Sequence, residues 1–272
     1  MLIEEVYIKA INGDPASQCQ LGLWYSDGVF VTKNNKTAFE WFEKAALQGF
    51  ANAQYHVGIM FSIGLGVPQN YKKAFEWFEK AASNGLADAQ NSLGLIYIKG
   101  EGAPKDEKLA FKWFEKAALQ GYTTAQYFLG CAYSQGICVP QNFKQAYKWF
   151  EKAALQGLAN AQQALGMMYI KGEGVQQDDK KAFEWFEIAA LQGHAAAQYF
   201  LGGMYYAGKS VPQNFIMAYV YLNIAASNDN ADAIYARDLC QKQMTYTQII
   251  NAQEICGELN VKIEENKKNL NQ

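Results

Sequence analysis

Glycine recurs at residues 22, 58, 94, 130, 166 and 202, and an aromatic residue recurs at 41, 77, 113, 149, 185 and 221, both with a step of 36 residues. A fixed period of this size marks a stacked array, because a unit so short cannot bury its apolar face alone and must do so against its neighbours. The chain is therefore six copies of one helical hairpin. The function of such a chain is to be sought on a surface rather than in a pocket.

The second copy shows how a unit is built. Ala53, Val57 and Phe61 follow at i, i+4 and i+8, which is one stripe of a first helix, and Gly64 and Gly66 end it. Asn70 then stands where an N-cap belongs, with Asn34, Asp106, Asn142, Asp178 and Asn214 as its equivalents, and a second helix starts after each. Along that helix Ala74, Phe78, Ala81 and Ala82 line one face and Glu76, Glu79 and Lys80 the other, until Gly85 supplies a left-handed C-cap. Gly58 and its counterparts sit inside the first helix, at a cost of about 1 kcal/mol each relative to Ala. Close approach of a neighbouring helix through the paired alanines, such as Ala81-Ala82, is the expected compensation.

The copies span residues 15–50, 51–86, 87–122, 123–158, 159–194 and 195–230. Residues 1–14 match only a second helix and read as an N-terminal capping half-repeat. Residues 231–272 read as C-terminal capping helices and a polar tail: Ala231 to Leu239 echoes a first helix, Thr245 and Gln248 have capping-box spacing, and Lys262 to Gln272 is expected to fray.

Composition narrows the function classes. Lys plus Arg total 24 against 26 Asp plus Glu, and Arg237 is the only arginine, which argues against binding a phosphate backbone. No apolar run is long enough for a membrane span. The start Met1-Leu2-Ile3-Glu4-Glu5 has no signal-peptide character, so the chain is expected to be cytoplasmic if Met1 is the native start, and periplasmic or secreted if a leader was removed. Cys19, Cys131, Cys138, Cys240 and Cys256 form no CxxC and do not follow the period, so they read as reduced. Cys131 and Cys138 lie seven residues apart, roughly 10 Å along a helix, beyond disulfide reach without a bend.

These residues resemble the Sel1-like repeat family, whose unit carries Ala-x-x-x-Leu-Gly-x-x-Tyr, a Gly-x-Gly loop and an Ala-Ala-x-x-Gly ending. In the third copy that is Ala89, Leu93-Gly94, Tyr97, Gly100-Glu101-Gly102, Ala117-Ala118 and Gly121. Departures are Ser17 for the first Ala, Phe30, Cys138 and Ser210 for the second loop Gly, and Asp229 for the last terminal Gly. The resemblance implies an all-α, right-handed superhelix of helix pairs related to tetratricopeptide arrays, serving as a non-catalytic scaffold or adaptor for another protein or peptide. In bacteria such proteins are often tied to signalling, envelope processes or contact with a host cell.

Some cysteine-rich relatives carry a penicillin-binding or β-lactamase label, but the S-x-x-K, S-D-N and K-T-G elements of serine enzymes of that class are all missing here, as are their regularly spaced cysteine pairs. The two histidines, His56 and His194, have no His or Cys at metal-ligand spacing. No phosphate loop stands apart from the repeat's own Gly-x-Gly turns. No catalytic residue, metal or cofactor is expected.

Recurrence within one chain marks what stacking requires, so positions free of it are available for recognition. On the first helix the recurring positions 53, 54, 57, 58, 61 and 64 occupy an arc of about 140°. The rest changes from copy to copy and is apolar for exposed helix. It offers Tyr55 and Ile59, then Asn91 and Leu95, Tyr127, Gln163 and Met167, and finally Tyr199 and Tyr206. Tyrosine brings large amphipathic area with few torsions to freeze, and Met adapts to irregular ligands. These residues are the candidate partner-binding set, read as a ladder lining the inner curve of the array, where an extended segment could lie. The alternative is that the same arc packs against second helices of adjacent copies.

Overall fold

The computed structural model describes residues 3–227 and 231–270, which hold fifteen α-helices and no strand. Two compact units, Met1–Leu129 and Gly130–Gln272, divide the chain. The first contains α1 (Ile3–Ile11), α2 (Pro15–Asp27), α3 (Asn35–Leu47), α4 (Ala51–Ile63), α5 (Tyr71–Ser83), α6 (Ala87–Lys99), α7 (Glu107–Leu119) and the beginning of α8 (Thr123–Gln135). The second contains the rest of α8, then α9 (Phe143–Leu155), α10 (Ala159–Lys171), α11 (Asp179–Leu191), α12 (Ala195–Ala207), α13 (Phe215–Ser227), α14 (Ala231–Gln241) and α15 (Tyr246–Leu270). Within each unit a helix packs mainly on the helices before and after it, the arrangement of an α solenoid.

The caps follow from side-chain chemistry. Asn70 Oδ1 accepts the backbone N–H of Lys73 at 2.9 Å, and Asp106, Asn142 and Asn214 bond the N–H three residues on in the same way, at 2.9–3.0 Å. Second helices close on a left-handed glycine, as at Gly85 with φ 89°.

The glycine inside each first helix makes room for a ring rather than for the paired alanines. A Cβ on Gly58 would lie 2.8 Å from the ring of Phe78, and the same clash recurs with Phe42, Phe114, Phe150 and Phe186. Each ring is 0–5% exposed. Burying a phenylalanine contributes about 2–3 kcal/mol, which outweighs the roughly 1 kcal/mol that a mid-helix glycine costs. In the sixth copy Leu222 takes the place of the ring.

A buried glutamine joins consecutive copies. Gln54 Nε2 donates to the carbonyl of Ala46 at 3.2 Å, and Gln18, Gln90, Gln126, Gln162 and Gln198 do the same to the carbonyl eight residues back. On its other side Gln90 Oε1 accepts from Gln120 Nε2 at 2.8 Å, just as Gln162 accepts from Gln192 and Gln54 from Asn84. One side chain thus holds the end of the preceding second helix and the end of its own hairpin.

The second unit ends differently from the sequence expectation. Ile216 and Val220 of α13 stand where the other copies carry lysine or glutamate, and α13 is apolar on nearly every side because α15 lies on it. Cys256 of α15 takes a hydrogen bond from Asn223 at 3.7 Å, Ile263 is 3% exposed, and Asn266 Nδ2 donates to the carbonyl of Leu191 in the fifth copy at 3.0 Å. The polar tail expected from Lys262 is therefore corrected: the helix runs on to Leu270, anchored by these apolar and amide contacts. Met1, Leu2, Asp229, Asn271 and Gln272 lie outside the described residues.

Candidate protein-binding surface

The variable arc of the first helices is half-buried. Tyr55 of α4 lays its ring against Phe78, with centroids 5.6 Å apart. Burial, and secondarily the carboxylate of Asp88, push its pKa up. Tyr127 and Tyr199 are likewise half-buried, each ring against the following residue, Phe128 at 6.1 Å and Phe200 at 5.6 Å. Ile59 and Met167 touch the core with part of their surface, whereas Leu95 and Gln163 are half-exposed on α6 and α10. Tyr206 is exposed and meets Phe215 edge-on at 5.4 Å.

Asn91 is the exception among the candidates. It is 5% exposed and its Oδ1 has no hydrogen-bond partner, so it belongs to the interior of α6 rather than to a recognition face. Its side chain is shorter than the tyrosines and glutamine at the same position in other copies, and it ends within the stack.

The 72-residue spacing of the tyrosines has a packing cause. The even copies carry Tyr55-His56, Tyr127-Phe128 and Tyr199-Phe200, and the third and fifth carry the smaller Asn91-Ser92 and Gln163-Ala164. His56 stacks on Phe42 at 4.7 Å, Phe128 on Phe114 at 4.5 Å and Phe200 on Phe186 at 5.1 Å. His56, Phe128 and Phe200 thus each stack on the second helix of the copy before, and the tyrosine stands one position earlier on the same helix. Part of each tyrosine serves adhesion and the remainder faces solvent.

The second helices present a different and more uniform face. Lys44 lies over Trp41, Lys80 over Trp77, Lys116 over Trp113 and Lys152 over Trp149, each ammonium 4.1–4.4 Å from the ring centroid. Cation–π contact and the aliphatic stem of the lysine together shield the tryptophan. This pairing is visible in the sequence as Trp-x-x-Lys, one helical turn apart, and the amphipathic pattern had marked it only as a charged, solvated side. Where four of the six copies present the same pair, recognition has little to read.

The histidines and buried cysteines are structural. Burial lowers the pKa of His56, which stacks on Phe42. His194 caps α12: its Nδ1 accepts the N–H of Ala197 at 3.3 Å and its Nε2 pairs with Asn160 Oδ1 at 2.9 Å, and burial lowers its pKa too. Burial raises the thiol pKa of Cys19 and Cys240 to about 11. Cys131 is half-buried on α8, and Cys138 is exposed in the loop after it. Among the described residues no group of three or more His, Cys, Asp or Glu side chains could hold a metal, and no helix is long and apolar enough to cross a membrane.

Comparison with known proteins agrees with this architecture. The Sel1 repeat model matches residues 15–50, 51–86, 87–122, 123–158, 159–194 and 195–230. A Sel1 repeat protein from Oxalobacter formigenes is 32% identical with a TM-score of 0.70, covering 78% of this chain and 84% of its own. The protective antigen c5321 of uropathogenic Escherichia coli, which displays an SLR fold, is 29% identical with a TM-score of 0.67. It aligns with 98% of this chain, which spans 66% of the antigen's length. A search of curated proteins found no match. With six consecutive matches to the repeat and the hairpin packing they require, the chain belongs to the Sel1 repeat family.

Proposed function

We propose that the chain is a non-catalytic scaffold whose first-helix faces hold a partner protein or an extended peptide. Sel1 repeats generally serve as scaffolds for protein contacts, which supports the class. One observation carries the finer reading. Ile59, Leu95, Cys131 and Met167 share one helical register and are all half-exposed, yet the side chain differs among these four copies. Adhesion between copies favours the same residue each time, as the buried leucines, glutamines and phenylalanines show. Within each unit an exposed and varied pair of apolar groups, Ile59 and Leu95 in the first and Cys131 and Met167 in the second, is suited to reading a partner segment whose own side chains vary. Tyr55, Tyr127, Gln163, Tyr199 and Tyr206 extend that face within their units.

The test replaces Leu95 and Met167 with lysine, whose flexible stems keep the ammonium in water and the helices intact. Affinity capture with the unaltered chain and with this variant, followed by mass spectrometry, should show partners depleted about tenfold or more with the variant while helix content is retained. An unchanged capture profile from a folded variant would contradict the proposal.

A further inference from the structure

The register that carries Leu23, Ile59, Leu95, Cys131 and Met167 carries Gly203 in the sixth copy. A Cβ placed on Gly203 meets no heavy atom within 4 Å, because the glycine opens onto a cavity of about 310 Å³ between α12 and α14. Tyr199 and Tyr206 of α12 and Tyr235 and Leu239 of α14 wall it, and the exposed carboxylate of Asp232 stands at its edge. Edge-on contacts with Phe200 at 5.6 Å and Phe215 at 5.4 Å hold the rings of Tyr199 and Tyr206 in place. Tyr235 is 70% exposed and leaves the hollow open to solvent on the side of α14. Asp232 joins none of the ion pairs formed among the described residues.

Three electron-rich phenol rings and one carboxylate that joins no salt bridge among the described residues, around an apolar hollow, favour a cation carried on an aliphatic stem. The stem lies against Leu239 and the open face of Gly203, and the positive end meets the rings and the carboxylate. A volume near 310 Å³ lies at the small end of ligand pockets and suits one side chain better than a helix. We propose that this pocket takes the alkylammonium end of a lysine side chain on the partner's extended segment. The proposal rests on the scaffold reading and gives the chemistry of one anchor point.

The probes are Nα-acetyl-lysine amide and the uncharged Nα-acetyl-norleucine amide, titrated into the full chain with tyrosine rings labelled for NMR. The lysine probe should shift a small set of tyrosine signals saturably, and the norleucine probe should bind about tenfold more weakly or worse. Gly203→Met installs the residue that the fifth copy carries at this register. It should weaken lysine binding about tenfold while leaving the melting temperature equal or higher, since a mid-helix glycine is replaced. Asp232→Asn should weaken it severalfold. Equal affinity for norleucine, or lysine binding that survives Gly203→Met, would overturn the cage. Choline binding more tightly than the lysine probe would also overturn it, by identifying a free quaternary ammonium as the occupant. Because these probes are small molecules, their outcome is independent of the capture experiment on Leu95 and Met167.

Discussion

At the residue scale, adhesion between copies depends on a few side chains that do two things at once. Gln90 is 5% exposed and connects the carbonyl of Ala82 to the amide of Gln120. Gln90→Met keeps much of the volume, removes one of the bonds to that carbonyl, which still accepts from the Gly85 N–H at 3.0 Å, and leaves one amide hydrogen of Gln120 without a partner. The lost bonds should cost about 1 kcal/mol, measured as a shift in the urea midpoint of the full chain. A loss below the measurement error would mean that water replaces both bonds. The recurrence of this glutamine was plain in the sequence, which placed it among the positions needed for stacking. Its two partners were not, since they lie 8 residues before it and 30 after it and only the folded hairpin brings them together. The ring over each glycine was hidden for the same reason: Gly58 and Phe78 are on different helices, and the paired alanines offered a simpler account of the missing side chain.

At the scale of the element, helix boundaries were legible wherever local chemistry sets them. The caps at Asn34, Asn70, Asp106, Asn142, Asp178 and Asn214 are examples, each accepting from the backbone of its own first turn. Long-range packing sets the rest. Lys262 to Leu270 looks like a frayed end by composition, and α13 and Leu191 make it a helix. His194 shows how a cap can carry a pH dependence. With Nδ1 accepting from Ala197, the proton resides on Nε2 and the ring is neutral. Its pKa in the folded chain is below the ordinary 6.5, so its contribution is present in full above 6.5 and declines as pH falls through that value toward the folded pKa, because unfolded chains take the proton more readily. His194→Asn keeps an N-cap acceptor and removes the titration. Between about pH 7.5 and pH 5.5 its melting temperature should fall less than that of the unaltered chain. Parallel falls would show that His194 does not supply the dependence.

At the scale of the whole molecule, the period of 36 residues sets the repeat architecture, and tyrosines 72 residues apart lie over it. The candidate face was legible in part. Position on a helical wheel separates what recurs from what varies, and it correctly separated half-exposed Leu95 and Gln163 from the core. It could not tell that a tyrosine divides its surface between adhesion and solvent, or that an asparagine at the same position is too short to reach the face. Nor could it bring α14 against α12, which gives the lysine cage its third ring.

The central claim is that the copies hold together through nearest-neighbour contacts that recur from copy to copy, modulated by an alternation of large and small residues on the first helices, leaving their variable side chains to a partner. Equilibrium unfolding of two deletions tests it most directly. Removing residues 51–122 takes out two copies and keeps a small copy followed by a large one, and removing residues 51–86 places two small copies side by side. The account predicts one cooperative transition and near-native stability per copy for the longer deletion, and a clear loss of stability or cooperativity for the shorter. If the shorter deletion is at least as stable per copy and as cooperative, the alternation plays no part in holding the array together.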